Sequence, residues 1–179
     1  MALWSNLTPE QKSDLWRWRK AVEGQEVGPV GLWVCGDRFA GSSYIASIAY
    51  GRMTTDHPEW VPQYHNARVL MEGIREYWQL AQDPHRPESD ELTQDYYALD
   101  DEIDRLWNKA GLVWLDDLHD NLDMRFWLRH VQPDLERRVK SGKATIVATN
   151  CTPNHPEFQT IQRVIEGLFV VVQADHARR

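Results

Sequence analysis

Apolar residues along the chain fall into short blocks, and longer stretches with helical spacing separate them. Thr8-Pro9-Glu10-Gln11 has the form of a helix start, with Thr8 as cap, Pro9 in the first turn and Gln11 completing a capping box. The spacing that follows predicts a helix over 9–23, with Leu15, Trp18 and Val22 on one side and Lys12, Arg17, Arg19 and Lys20 mostly elsewhere. Gly24 and Gly28-Pro29 end it. Val30-Gly31-Leu32-Trp33-Val34-Cys35 reads as a buried strand running into a glycine loop, after which a helix begins near Tyr44 and meets Gly51. Residues 52–67, with Pro58 and Pro62, read as loop, Ala67–Met71 as a second strand, and 73–82 as a helix or its beginning. A helix is expected from about 89 to 109, and Gly111–Leu115 reads as a strand ending in Asp116-Asp117. Residues 124–140 read as helical, with Pro133 an interruption or a new start. Ala144–Thr149 is a strand closed by Asn150, 155–165 is helical, and Leu168–Gln173 is the last strand. Strands apolar on both faces and alternating with helices predict a parallel α/β sheet covered on two sides.

Composition narrows the partners. The 179 residues suit one ordinary domain, read as a helix and linker over 1–27 followed by a single unit over 28–179. With 20 Lys and Arg against 27 Asp and Glu the net charge is −7, which excludes a surface dominated by phosphate-binding cations. Hydrophobic residues at 42% exclude wholesale disorder. The acidic run over 83–104 reads as a solvated face. No apolar run approaches the roughly 20 residues of a membrane helix, and MALWSNLTPEQ lacks the regions of a signal peptide. Cys35 and Cys151 are too few for a disulfide framework, so a cytoplasmic protein without membrane contact is expected.

Gly36-Asp37-Arg38-Phe39-Ala40-Gly41-Ser42-Ser43 matches G-x-x-x-x-G-x-[ST], the phosphate-loop pattern, with Ser42 where the lysine belongs. It lies between a buried strand and a helix start, where backbone N–H groups and the helix dipole together hold an anion. In that pattern Ser43 places its hydroxyl on Mg²⁺. Without the lysine a bound triphosphate loses a charge-assisted contact; Arg38 is the candidate substitute. Leu112–Asp117 has the form of apolar residues followed by two acids, in which the first carboxylate holds Mg²⁺ through water and the second serves the attacking water. Asn150 stands where a polar sensor of the γ phosphate would.

In order and spacing, GLWVCGDRFAGSS, LVWLDDL, ATIVATN, Gln162–Gly167 and Ala174–Arg178 resemble the AAA+ ATPase core of bacterial and phage helicase loaders of the DnaC and IstB type, over about 24–179. The resemblance implies a three-layer α/β/α P-loop domain with a five-stranded parallel sheet in the order 5-1-4-3-2 and no helical lid. It implies ATP or ADP with Mg²⁺ on Gly36, Gly41 and Ser43, metal on Asp116, water on Asp117, γ phosphate on Asn150, and Arg163 as a finger into a neighbouring copy. Arg137 or Arg138 matches a further family arginine. In that strand order the ends carrying Cys35 and Cys151 are neighbours. The implied partner is a replicative helicase or related AAA+ protein. The missing lysine, Asp117 in place of glutamate, and the short segment before the first strand depart from the pattern and point to weakened or lost hydrolysis.

Two other classes compete. A non-catalytic adaptor or inhibitor would keep the fold without loading activity. A small P-loop nucleotide or metabolite kinase would need an arginine-bearing lid, for which LHDNLDMRFWLR offers only Arg125 and Arg129. His119 amid Asp116, Asp117, Asp120 and Asp123 reads as a polar loop. Trp16 and Trp18, beside Arg17, Arg19 and Lys20, suggest stacking on single-stranded DNA, but residues two apart on a helix diverge, which favours partner docking or core packing.

Overall fold

A computed structural model describes residues 4–82, 90–119, 123–150 and 165–174. Helix α1 (Pro9–Val22) starts at the expected capping box: the Gln11 amide donates to Thr8 Oγ1 at 3.2 Å and the Thr8 amide to Gln11 Oε1 at 3.0 Å. Leu15 and Trp18 face inward, and the Trp18 indole donates to the Val30 carbonyl at 2.8 Å. Gln11 Nε2 donates to the Gln173 carbonyl at 2.9 Å, so this helix is tied to the last strand of the sheet and to the residue that leads into the first.

The sheet contains β1 (Gly31–Cys35), β2 (Pro62–Asn66), β3 (Leu112–Leu118), β4 (Ala144–Thr149) and β5 (Phe169–Gln173). All pairings are parallel and the spatial order is β2-β3-β4-β1-β5, the expected 5-1-4-3-2 read from the other edge. Strand residues alternate between two cores. Leu32, Val34, Ile146, Ala148, Val170 and Val172 pack with α1 and α2 (Ser42–Asp56) on one face. Trp33, Val113, Leu115, Val147 and Phe169 pack on the other with α3 (Ala67–Gln82) and α6 (Gln132–Lys140). Buried on both faces, the central strands read as continuous apolar runs.

Three expectations are corrected. Helix α2 passes through Gly51 to Asp56, because a solvent-facing glycine costs a helix only about 1 kcal/mol. Residues 62–66 are a strand, not loop: β2 is a polar edge strand that opens on Pro62, where no ladder hydrogen bond is lost. Residues 67–71 are helical, not a strand; Ala67, Leu70, Met71 and Ile74 bury one stripe of α3 at i, i+3, i+4 and i+7. Further on, α4 (Asp90–Asp104) continues into a π-helical segment, Arg105–Lys109. A second π-helical segment, Trp127–Val131, joins α5 (Met124–Phe126) to α6, which carries Pro133 in its first turn. The helix expected over 155–165 lies almost wholly outside the described residues, of which 165–168 are helical. No helix among the described residues is long and apolar enough to cross a membrane.

Candidate functional site: a phosphate loop beside two strand-end carboxylates

The loop from Gly36 to Gly41 leaves the carboxyl end of β1 and enters α2 at Ser42. Gly36 is required by close approach: a Cβ there would lie 2.5 Å from the Ala174 carbonyl oxygen, at the point where the Ala174 amide donates to Cys35 O at 2.6 Å. Gly41, the residue before α2, has φ 100°, a left-handed conformation that disfavours a side chain. Between them the chain turns tightly, with the Ala40 amide on Asp37 O at 2.8 Å and Ala40 buried. Asp37, Arg38 and Phe39 form the exposed tip; Phe39 is itself left-handed at φ 71°, and the Arg38 guanidinium lies over its ring, 5.3 Å from the centroid. Ser42 and Ser43 open α2, whose first-turn amides point out of the helix toward any anion at its N-terminus.

Strand β3 delivers the two acids. Its register against β4 shifts between Leu115 and Leu118, and Asp117 has φ 60°, so the strand bulges at the Asp pair. Asp116 faces α2 and accepts a hydrogen bond from Ser43 Oγ at 2.8 Å, across 73 residues of sequence. The Tyr64 hydroxyl donates to the other Asp116 oxygen at 3.4 Å; burial and the Asp116 charge push the Tyr64 phenol above its ordinary pKa. Asp117 is exposed and accepts from Asn66 Nδ2 at 3.4 Å. The same Asn66 side chain caps α3, its oxygen accepting from the Arg68 and Val69 amides at 3.0 and 3.4 Å.

Asn150 follows β4 at this same edge, its amide on Leu118 O at 3.3 Å. The sheet thus brings the loop, Ser43, Asp116, Asp117 and Asn150 to the carboxyl ends of adjacent strands. Arg138 is elsewhere. It donates to Thr145 Oγ1 and the Ala144 carbonyl, at the opposite end of β4 from Asn150, and is 2% exposed. Arg137 is exposed and pairs with Asp134. Arg163 and Cys151 lie outside the described residues; Cys35 is buried and in register with Thr149. Of the two tryptophans on α1, Trp18 is in the core and Trp16 is 48% exposed. Tyr64 and Asn66 were missed because β2 read as loop; the signal was Asn66, a helix cap immediately before the buried stripe of α3.

The donor set suits a small hard cation bridged to phosphate. A serine hydroxyl and a carboxylate converge within 2.8 Å beside a helix N-terminus, leaving the remaining positions to phosphate oxygens and water. Among the described residues no group of three His, Cys, Asp or Glu side chains forms an all-protein metal cage.

No family model matches the chain, and neither does any curated protein sequence. Solved structures do. Domain III of the replication initiation protein DnaA from Thermotoga maritima matches with a TM-score of 0.61 at 13% identity, over 94% of this chain and 65% of that one. The DnaC helicase loader matches at 0.57 and 13% identity, over 93% and 92% of the two chains, and DnaI at 0.57 and 15%, over 97% and 87%. The chain spans under two thirds of the DnaA structures it matches, 65% of that domain and 47% of AMPPCP-bound DnaA from Aquifex aeolicus. At these identities the likeness is one of fold: the sheet order and the helices around it are those of the AAA+ P-loop core.

Proposed function

We propose that this chain is a helicase-loader-like replication protein that holds ATP or ADP with Mg²⁺ at loop 36–43 and acts by binding a replicative helicase or related AAA+ protein. The observation that carries this reading is the 2.8 Å contact between Ser43 and Asp116, which joins the two halves of a nucleotide site at the carboxyl edge of the sheet. The similarity in fold to the DnaC helicase loader and to the replication initiation protein DnaA supplies the replication context.

In this reading the α2 N-terminus and the loop amides hold the phosphates, and Ser43 and Asp116 hold the cation. Mg²⁺, when bound, would supply positive charge to the phosphates. Asp117 orients or deprotonates the attacking water, with Asn66 fixing its carboxylate. Asn150 senses the γ phosphate. Arg163 serves a neighbouring copy in a homo-oligomer, so Arg163→Ala has its effect only in assembled material.

Ser42 leaves the loop without the cation that spans the β and γ phosphates. Binding is then weakened, and transition-state stabilisation is weakened further. That substitution favours a second reading of the same site, a pseudo-ATPase adaptor or inhibitor in which the fold serves docking alone.

Titration of a fluorescent ATP analogue with Mg²⁺ tests the site. The Ser42→Lys variant is expected to bind at least about tenfold more tightly than the parent, and adding Ser43→Ala should remove its Mg²⁺ dependence. Absence of binding to parent and lysine variant alike refutes the phosphate loop. Pull-down with purified replicative helicase under several nucleotide states tests the partner; no association in any state counts against loading and docking together.

A further inference from the structure

On the α3 side of the sheet lies a cavity of about 360 Å³ that the nucleotide reading does not use. Five elements frame it: α3 contributes Tyr77 and Trp78, α4 Ile103, the first π-helical segment Trp107, the second Arg129 and His130, and α6 Asp134 and Arg137. Both π-helical segments of the described chain therefore border one space. Such single-turn expansions are costly to hydrogen-bond geometry, are rare in helices, and gather where a helix must aim side chains at a ligand.

The lining is preformed. The His130 ring sits between Phe126, with centroids 4.5 Å apart, and Trp78, at 5.2 Å. Tyr77 stacks on Tyr96 at 5.2 Å and donates to Asp100 at 3.1 Å. Trp78 stays 41% exposed despite its neighbours. Arg129 is exposed and makes no ion pair among the described residues, while Arg137 is shared with Asp134. A mixed lining of aromatic and polar side chains beside the Arg129 guanidinium, which has no ion pair among the described residues, suits an aromatic group with one carboxylate close by.

We propose that this cavity is a docking site for a short peptide segment of a partner protein, with an aromatic side chain against the exposed face of Trp78 and an adjacent carboxylate on Arg129. Charge favours a peptide over a nucleic-acid strand. Asp134 lines the opening and Asp100 lies beside it on the Tyr77 hydroxyl, so a continuous phosphate backbone would run past carboxylates on a chain of net charge −7. A single carboxylate on Arg129 meets less of that repulsion than a chain of phosphates, Asp134 being already paired with Arg137. The site is independent of the phosphate loop.

Fluorescence polarisation with a fluorescein-labelled, C-terminally amidated Gly-Ser-Gly-Asp-Phe-Gly peptide, without nucleotide, tests this. Saturable binding is expected, weakened about tenfold or more by Phe→Ala or Asp→Asn in the peptide and by Trp78→Ala or Arg129→Glu in the protein. Both protein positions are exposed, and unchanged far-UV circular dichroism of the variants separates lost docking from lost folding. No saturation at millimolar protein, or affinity unchanged in both variants, overturns the proposal. So does tighter binding of labelled hexathymidylate with the same sensitivity to Trp78 and Arg129, which would make the cavity a single-strand site.

Discussion

Arg138 brings a full charge into the protein without an ion pair among the described residues. Its guanidinium is neutralised only by dipoles: Thr145 Oγ1 at 3.1 Å and the carbonyls of Leu106, Trp107 and Ala144 at 3.2, 3.3 and 3.1 Å. Burial pulls its pKa down to about 10, so it is still charged at neutral pH. Two of the carbonyls belong to the first π-helical segment, and the residue therefore pins that segment to β4. Arg138→Met should cost about 3 kcal/mol by stranding those carbonyls, read as a fall in the urea midpoint, and Arg138→Lys should recover only part because one ammonium cannot span all four acceptors. An unchanged midpoint in the methionine variant would disprove the clamp.

His65 acts in the opposite sense. Its Nε2 is buried without a hydrogen-bond partner, and burial lowers its pKa below the ordinary 6.5, partly offset by the charge of Glu102. The unfolded chain then binds the proton more readily than the folded one. Stability at this residue is thus complete above pH 6.5 and is lost as pH falls from there through the folded-state pKa. His65→Gln should flatten that acid-side slope in unfolding measurements between neutral pH and about pH 5; an unaltered slope would assign the effect to other groups.

At the scale of elements, α1 and β2 show how far pattern alone reaches. The capping box and apolar stripe made α1 legible from Thr8 onward, and Trp18 on that stripe packs into the core at 1% exposure. Trp18→Ala should accordingly cost about 3–5 kcal/mol, whereas Trp16→Ala should change stability by no more than about 0.5 kcal/mol; equal and small effects on the urea midpoint would mean that α1 contributes little to the fold. Strand β2 was illegible for a physical reason. An edge strand half open to solvent needs no apolar alternation, and Pro-Gln-Tyr-His-Asn carries none. Its loss displaced the reading of α3 as well, since Val69-Leu70-Met71 is a compact apolar triplet that fits either period until Ala67 and Ile74 are counted with it. The acids on β3 were legible as a pair, but their separation into one facing Ser43 and one facing Asn66 depends on a left-handed residue inside the strand, which no sequence period announces.

Across the whole molecule, the sheet order could be anticipated because four of the five strands are long on apolar residues and the glycine loop fixes which of them leads into the site. The two faces then differ: α1 and α2 close the face beside loop 36–43, and α3, the π-helical segments and α6 close the face that holds the aromatic cavity. The cavity was not legible, because its walls come from positions 74 to 137 and its shape from two local changes of helical pitch. The bulge in β3 ties these layers together. Leu118 rejoins the same core as Leu115 although it lies three positions along the strand, an odd offset that an ordinary strand would turn outward. The spacing Leu-Asp-Asp-Leu is therefore a fixed ruler: removing either aspartate restores simple alternation and keeps the second leucine in its seat, but it leaves one acid where the bulge had aimed two, so the core survives the deletion while Ser43 and Asn66 no longer face separate carboxylates.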